Sequence, residues 1–405
     1  MNVLGVVFGA AVYVALGRIV VDRLAGAPQD LTFALLNIFA VYLLFFPFGF
    51  LSFAAVFVAY LMLALTQYLV LRSGAGVLAA FGAPIVALIA IKSLPYMVDA
   101  DTTAPSGVPV LSLAAAFIGI SYFAFRTSYL TLEVRNGLVS MPTLTQYLGF
   151  CFFAPTMAVG PINRFSNFRR GFDGSARAEL GPASRAALRI LVGAVKFRFL
   201  AGIFDQLSYA GLMLDGHPHH WIDLPVSAVA YYLYLYCNFS GFCDIAIGVA
   251  ALIGIPVEEN FRNPFAARNM REFWNRWHIT LGAYMRDVVF TPLSKYLSRV
   301  FGPRATNHAT AIAIATVFVL IGVWHMPGLN YLAFGCMHAV GVTFIHYYTL
   351  FVKRRLGRER FRAYTHNSWI HAGAVFLTFL YVTASHFLFA NSFADMAAIL
   401  AAVEW

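Results

Sequence analysis

Long apolar runs, rather than an alternation of apolar and polar positions, organise this chain. They recur at Leu31–Phe50, Leu51–Leu71, Val77–Tyr96 and Ala309–Trp324, each near the roughly 20 residues that cross hydrocarbon as a helix. A chain entering a bilayer this often must satisfy its backbone polar groups internally. Continuous apolar runs also lack the two-residue period of a barrel strand, so the pattern predicts an all-α polytopic membrane protein with roughly 11 membrane helices. Met1–Ile19 has no basic residue ahead of its apolar run and no evident cleavage site after it, which predicts a retained helix. The short Ala176–Arg185 stretch is too brief to divide domains, so residues 1–405 read as one integral membrane domain.

Composition agrees: 60% of the 405 residues are hydrophobic and 11% are charged, well below the roughly 25% charge of a soluble domain. The net charge of +10 is concentrated. Arg164, Arg169, Arg170, Arg177, Arg185 and Arg189 fall in one linker, and Lys353, Arg354, Arg355, Arg358, Arg360 and Arg362 in another. By the positive-inside rule both face the cytoplasm. Val98–Pro109, with Asp99 and Asp101, and Asp215–Asp223, with His217, His219 and His220, carry no basic Lys or Arg and are expected outside. Counting from an exterior N-terminus places Asp22–Asp30 and Arg72–Ala75 inside and the Pro47–Phe50 turn outside. Two further crossings, near Val110–Arg126 and Pro142–Pro161, would then bring the arginine-rich linker to the wrong side. One of them must be re-entrant or bent, and Pro155, Gly160 and Pro161 mark the second. From there the count gives Glu258–Arg276 inside, Met326–Asn330 outside and an exterior C-terminus. Cys151, Cys237, Cys243 and Cys336 lack metal-ligand spacing and read as packing residues, with no metal site.

The least lipid-like stretch, Glu258–Pro292, mixes Arg262, Arg268, Arg271, Arg276 and Arg286 with aromatic residues. On a helix Trp274, Trp277 and His278 share or adjoin a face, whereas Arg276 points elsewhere. An interfacial amphipathic helix has the same composition; a buried histidine among the tryptophans would instead mark a substrate path. His325 closes the run Ala309–Trp324 before a break at Met326, Pro327 and Gly328. A histidine there suits either an interfacial hydrogen bond or a general base taking a proton from an attacking hydroxyl. His338, in the next helix, fits packing or hydrogen bonding across the bundle. Asn238, Ser240 and Asp244 interrupt the apolar Tyr232–Gly248 segment, as functional groups or as interhelical hydrogen bonders.

Several stretches in order resemble the membrane-bound O-acyltransferases, in particular the bacterial branch of the teichoic-acid D-alanyl transfer protein and the alginate O-acetylase. They are GISYFAFRTSYLTLEVRNG from Gly119, APTMAVGPINRF from Ala154, Tyr232–Gly248, ENFRNPFAARNMREFWNRWHITLGAYMRDVVFTPL from Glu259, and GVWH from Gly322. Met326 departs from the glycine that many relatives carry after the WH pair. The resemblance implies a ring of helices around a central tunnel, with His325 as the family's invariant histidine and His278 as its second. It implies His325 as general base toward a thioester, His278 orienting the donor arm, and Asn275, Arg276 or a backbone N–H stabilising the oxyanion. No bound cofactor is implied. The donor would be a phosphopantetheinyl thioester on an acyl carrier protein, or acyl-CoA, drawn to the basic cytosolic linkers. The EVRNG and GPINRF runs look like the D-alanyl branch, and VVFTPL and NSFADM like the acetyl branch. The acceptor implied is an extracytoplasmic polysaccharide, reached directly or through a partner, from a bacterial cytoplasmic membrane. A lipid-modifying acyltransferase of the same superfamily and a secondary transporter are the alternatives; the transporter would more often show paired half-repeats, and the sequence has none evident.

Overall fold

The computed structural model describes residues 3–45, 50–74, 76–97 and 119–404. The apolar runs fold as helices: α1 (Val3–Arg23), α2 (Gly26–Phe45), α3 (Phe50–Ser73), α4 (Val77–Met97), α5 (Ile120–Arg135), α6 (Leu144–Cys151), α7 (Ala183–Ala194) and α8 (Asp223–Ile253). They continue as α9 (Met270–Trp274), α10 (Ile279–Met285), α11 (Thr291–Phe301), α12 (Thr306–His325), α13 (Leu329–His366), α14 (Ser368–Ala390) and α15 (Phe393–Ala402), with short helical turns between. Among the described residues four stretches are both long and apolar enough to cross a membrane: Val56–Ser73, Asp223–Ile253, Pro303–His325 and Ser368–Ala390. Large apolar side chains point outward along the helices, as Val340, Phe344 and Phe351 do on α13, the arrangement expected where hydrocarbon is the solvent. The protein is an all-α membrane protein. The loop Val98–Pro109 with Asp99 and Asp101, most of the Pro47–Phe50 turn and the first part of Val110–Arg126 lie outside the described residues.

The chain forms two compact units, Met1–Ala194 with Phe242–Glu258, and Val195–Gly241 with Glu259–Trp405. In the first unit the Pro142–Pro161 segment is broken, as its prolines and glycine predict. A capping box opens α6: the Thr143 hydroxyl accepts the Gln146 N–H, and Gln146 Oε1 accepts the Thr143 N–H. The helix then stops after eight residues, about 12 Å and too short to span. Stopping there strands the last carbonyls of α6. Arg126 of α5, 1% exposed, answers them: its guanidinium donates to the carbonyls of Phe150 at 2.7 Å, Cys151 at 3.3 Å and Thr156 at 2.8 Å, and to Thr156 Oγ1 at 2.7 Å. Gly119, at φ 76°, permits the close approach, because a Cβ there would lie 2.0 Å from the Met157 carbonyl oxygen.

Ion pairs fix which segments share a face. Arg177 binds Asp22 at 3.0 Å and Arg169 binds Asp30 at 2.6 Å, so Asp22–Asp30 sits with the arginine-rich linker, in agreement with the charge pattern. In the second unit His219–His220 pairs in parallel with Val403–Glu404, which places Val403–Glu404 beside the acidic Asp215–Asp223 loop. Asn330 donates to the carbonyls of Leu388 at 3.3 Å and Asn391 at 3.2 Å, tying the start of α13 to the end of α14. Within the basic cluster Lys353–Arg362, helical geometry breaks at Gly357, φ 69°. Cys151, Cys237 and Cys243 are buried, whereas Cys336 is exposed rather than packed inside.

Glu258, at the end of the first unit, has one carboxylate oxygen buried without a hydrogen-bond partner. Burial pushes its pKa up to about 7, against the lowering effect of hydrogen bonds that include the Arg164 N–H at 3.4 Å. Because the folded value is raised above the ordinary 4.5, the fold favours the protonated acid; this contribution is present at low pH and lost as pH rises from about 4.5 to about 7. Glu258→Gln should therefore flatten the fall in Tm over that range and raise Tm at about pH 8; an unchanged pH profile would contradict a buried, protonated Glu258. For topology, in a protein whose native cysteines are replaced, cysteines at Ser175 and Gly357 should react with an impermeant maleimide only after the cytoplasmic face is opened. A cysteine at Gly216 should react from outside, and labelling of Ser175 from outside would overturn the assignment.

Candidate active site

The segment before α10 is shaped by one buried amide. Asn260 is fully buried, and its Oδ1 accepts from the Thr280 N–H at 3.1 Å, the Thr280 hydroxyl at 2.9 Å and His278 Nδ1 at 3.2 Å. Its carbonyl accepts the Ile279 N–H at 2.9 Å, and Phe261 bridges antiparallel to Trp277. These bonds hold His278 in the left-handed region, φ 46° and ψ 51°, a conformation that few non-glycine residues adopt. They also fix its chemistry. The Thr280 N–H is an obligate donor, so the shared Asn260 atom is the carbonyl oxygen; His278 Nδ1 must donate to it, and Nε2 carries the lone pair. Burial, with a T-shaped Phe239 at 4.7 Å, pushes the His278 pKa down to about 3 and keeps the ring neutral.

His325 is the last residue of α12, half-buried among aromatic rings, with Phe389 edge-on at 4.8 Å and Phe334 at 6.4 Å. The indole of Trp324 stands 4.5 Å from the His325 ring and 6.4 Å from the His278 ring. One side chain thus packs against both histidines. The Gly322 backbone that precedes the pair is pressed on α13, and a Cβ there would lie 2.3 Å from the Tyr331 carbonyl oxygen.

His338 is saturated. Trp274 Nε1–H, which can only donate, reaches its Nδ1 at 3.2 Å, so the proton is on Nε2. That proton points to Ser385 Oγ at 3.0 Å, while the serine's own hydrogen goes to the Val382 carbonyl at 2.7 Å. Such a ring is a cross-brace between α9, α13 and α14 and has no lone pair left for a substrate. The other residues singled out in the sequence divide in the same way. Trp277 is buried in an aromatic stack with Phe273 and Tyr232. Arg276 is drawn off to Glu272 and the Asn263 carbonyl, and Asp244 pairs with Arg189 at 2.9 Å. Asn238 is half-buried on α8. Trp274 and Asn275, with Ile279, Arg286 and Phe318, line a cavity of about 240 Å³.

His386 of α14 escapes a motif search because its neighbours form no recognisable pattern of charged or catalytic residues. It is 3% exposed, stacked on Tyr232 at 4.9 Å and near Trp277, Phe334 and Phe389. Its Nδ1 makes no hydrogen bond, and the nearby Val382 carbonyl already takes the Ser385 hydroxyl. An intramembrane histidine is the signal that would have found it.

The model of the membrane-bound O-acyltransferase family matches residues 99–387. The chain belongs to that family. The teichoic acid D-alanyltransferase of Streptococcus thermophilus is 32% identical over 290 residues, 69% of each chain, and that of Bacillus subtilis is 29% identical over 283 residues. A probable alginate O-acetylase of Pseudomonas syringae pv. tomato is 29% identical over 224 residues, 55% of this chain and 41% of the relative. The protein is thus a membrane O-acyltransferase whose matched region contains His278, Trp324 and His325. If His338 braces that region, His338→Ala should lose about 2–4 kcal/mol of stability, from the cavity and from the stranded Trp274 and Ser385 partners. Any loss of transfer should then follow the folded fraction in a denaturation series; a fully stable, inactive variant would argue for a direct role.

Proposed function

We propose that this O-acyltransferase moves an acyl group, D-alanyl or acetyl, from a cytosolic phosphopantetheinyl thioester or acyl-CoA to a hydroxyl of an extracytoplasmic polysaccharide or an intermediate carrier, working in a bacterial cytoplasmic membrane. The observation that carries the reading is Trp324 packed against two histidines, one neutral with a defined acceptor nitrogen and one half-buried at a helix end. The activities named for the relatives, D-alanyl transfer and O-acetylation, give the acyl classes.

In this reading His325 takes the proton of the acceptor hydroxyl as its oxygen attacks the thioester carbonyl. A C–O bond forms, the C–S bond breaks, and the thiolate leaves to be protonated; a thiolate is a good enough leaving group to need little acid assistance. His278 Nε2 accepts a hydrogen bond from an amide N–H of the pantetheine arm. The apolar cavity behind Trp274 takes the acyl-thioester end of the donor, with the Asn275 amide available to the developing oxyanion. Arg276 is a weaker choice for that task because Glu272 already holds its charge.

Transfer from a labelled thioester by purified protein in nanodiscs tests this. His325→Ala should lower the rate by about 10²–10⁴-fold with Tm near that of the parent. His278→Ala should show more of its defect as a raised KM for the donor. A stable His325→Ala protein with nearly full activity would remove His325 from the mechanism, and label recovered in a membrane lipid rather than a polysaccharide or its carrier would overturn the acceptor class.

A further inference from the structure

A second cavity, of about 330 Å³, lies in the first unit, and none of its lining residues belongs to the acyl-transfer site. Its walls include Arg18, Arg177, Pro182, Ala186, Ala251 and Leu252. Arg18 comes from the last turns of α1, whereas Ala251 and Leu252 come from the last turn of α8, so the cavity sits where two long apolar helices end. That is the depth of a lipid headgroup. The space is kept open by small residues: Gly254 stands so close that a Cβ there would meet Arg18 Nη1 at 3.0 Å.

The charge around it is unbalanced. Arg18 and Arg177 share one carboxylate, Asp22, at 2.6 Å and 3.0 Å. Arg185 reaches back over Gly181, another wall residue, where an added Cβ would lie 3.0 Å from its Nη1, and it has no ion-pair partner among the described residues. Two wall guanidiniums thus share one acid, and Arg185 beside the Gly181 wall adds a third cation. The first turn of the twelve-residue α7 opens on the same cavity and adds its dipole. Beyond Arg185 the outer face of α7 turns apolar: Leu188, Leu191 and Val192, at helical spacing, are 61%, 61% and 44% exposed. A cationic cavity at headgroup depth, continued by an apolar stripe on a helix surface, has the polarity profile of one kind of molecule.

We propose that this cavity binds the phosphate of an anionic glycerophospholipid of the cytoplasmic leaflet, held by Arg18, Arg177 and Arg185, with its acyl chains along Leu188, Leu191 and Val192. The chemistry recognised is a phosphodiester, which free inorganic phosphate or coenzyme A also approximates, but only the lipid uses the stripe.

The test is native mass spectrometry of the full-length protein in detergent, titrated with phosphatidylglycerol or phosphatidylcholine, with inorganic phosphate and coenzyme A as competitors. One phosphatidylglycerol should be retained roughly tenfold more tightly than phosphatidylcholine, and Arg177→Gln with Arg185→Gln should weaken it by about tenfold. Asp22→Asn removes the competing carboxylate and should tighten binding by roughly threefold or more, an effect in the opposite direction that poor folding cannot mimic. Equal retention of the two lipids, weaker binding by Asp22→Asn, or displacement of phosphatidylglycerol by equimolar phosphate or coenzyme A would overturn the proposal.

Discussion

A backbone that stops being helical away from water must find new partners for the groups it frees, and that constraint shapes both units. Each buried, unsatisfied carbonyl or N–H costs about 1–3 kcal/mol, more than most local contacts return. In the first unit Arg126 meets the constraint with one guanidinium over three carbonyls; its planar, multi-donor head suits a cluster of acceptors that a lysine point charge would serve poorly. In the second, Asn260 does so with one amide and one peptide group, gathering Thr280, Ile279 and His278. Neither residue need touch a substrate. Without them, the broken segments would have no fixed geometry on which to carry chemistry.

The histidines show how much the partner decides. His278, His325 and His338 lie in one aromatic neighbourhood, yet each has a different proton inventory. Asn260 makes His278 a donor at Nδ1 and leaves Nε2 as its acceptor. Trp274 and Ser385 between them occupy both nitrogens of His338. His325, at the end of α12 rather than within a helix, combines aromatic contacts with partial exposure, the combination a proton-transfer group needs if an acceptor is to reach it. A neutral imidazole is the form that can accept a proton.

Much of this was legible in the sequence because it follows from solvent and charge. Apolar runs gave the helices, Pro155, Gly160 and Pro161 marked the broken segment, and the ion pairs of Asp22 and Asp30 obey the same sidedness as the arginine clusters. The histidine motifs stood out because WNRWH and GVWH are polar marks in apolar context. What could not be read was pairing. Asp244 looked costly until Arg189 was seen beside it, and Arg276 looked available until Glu272 took it. Asn260 and His386 went unnoticed for the converse reason: one is a single polar residue in an already polar stretch, and the other one of several scattered polar residues in a mostly apolar helix. Helical spacing identifies neighbours four residues apart, as Glu272 and Arg276 are, whereas the partners of Asp244 and His338 come from a second chain segment far away in sequence.

The same distinction changes the meaning of the net charge of +10. Arg126 is committed to carbonyls, and Arg169, Arg189 and Arg276 to carboxylates, so these cations organise the fold and contribute little attraction to a passing anion. Attraction for anions must come from charge that the fold leaves uncompensated, as at Arg185 and in the surplus around Asp22. The sequence therefore contains two populations of arginine, one that holds broken backbone and loops in place and one that keeps its charge free. Counting residues merges them; following each guanidinium to its acceptor separates them, and only the uncommitted ones keep their charge for an approaching anion.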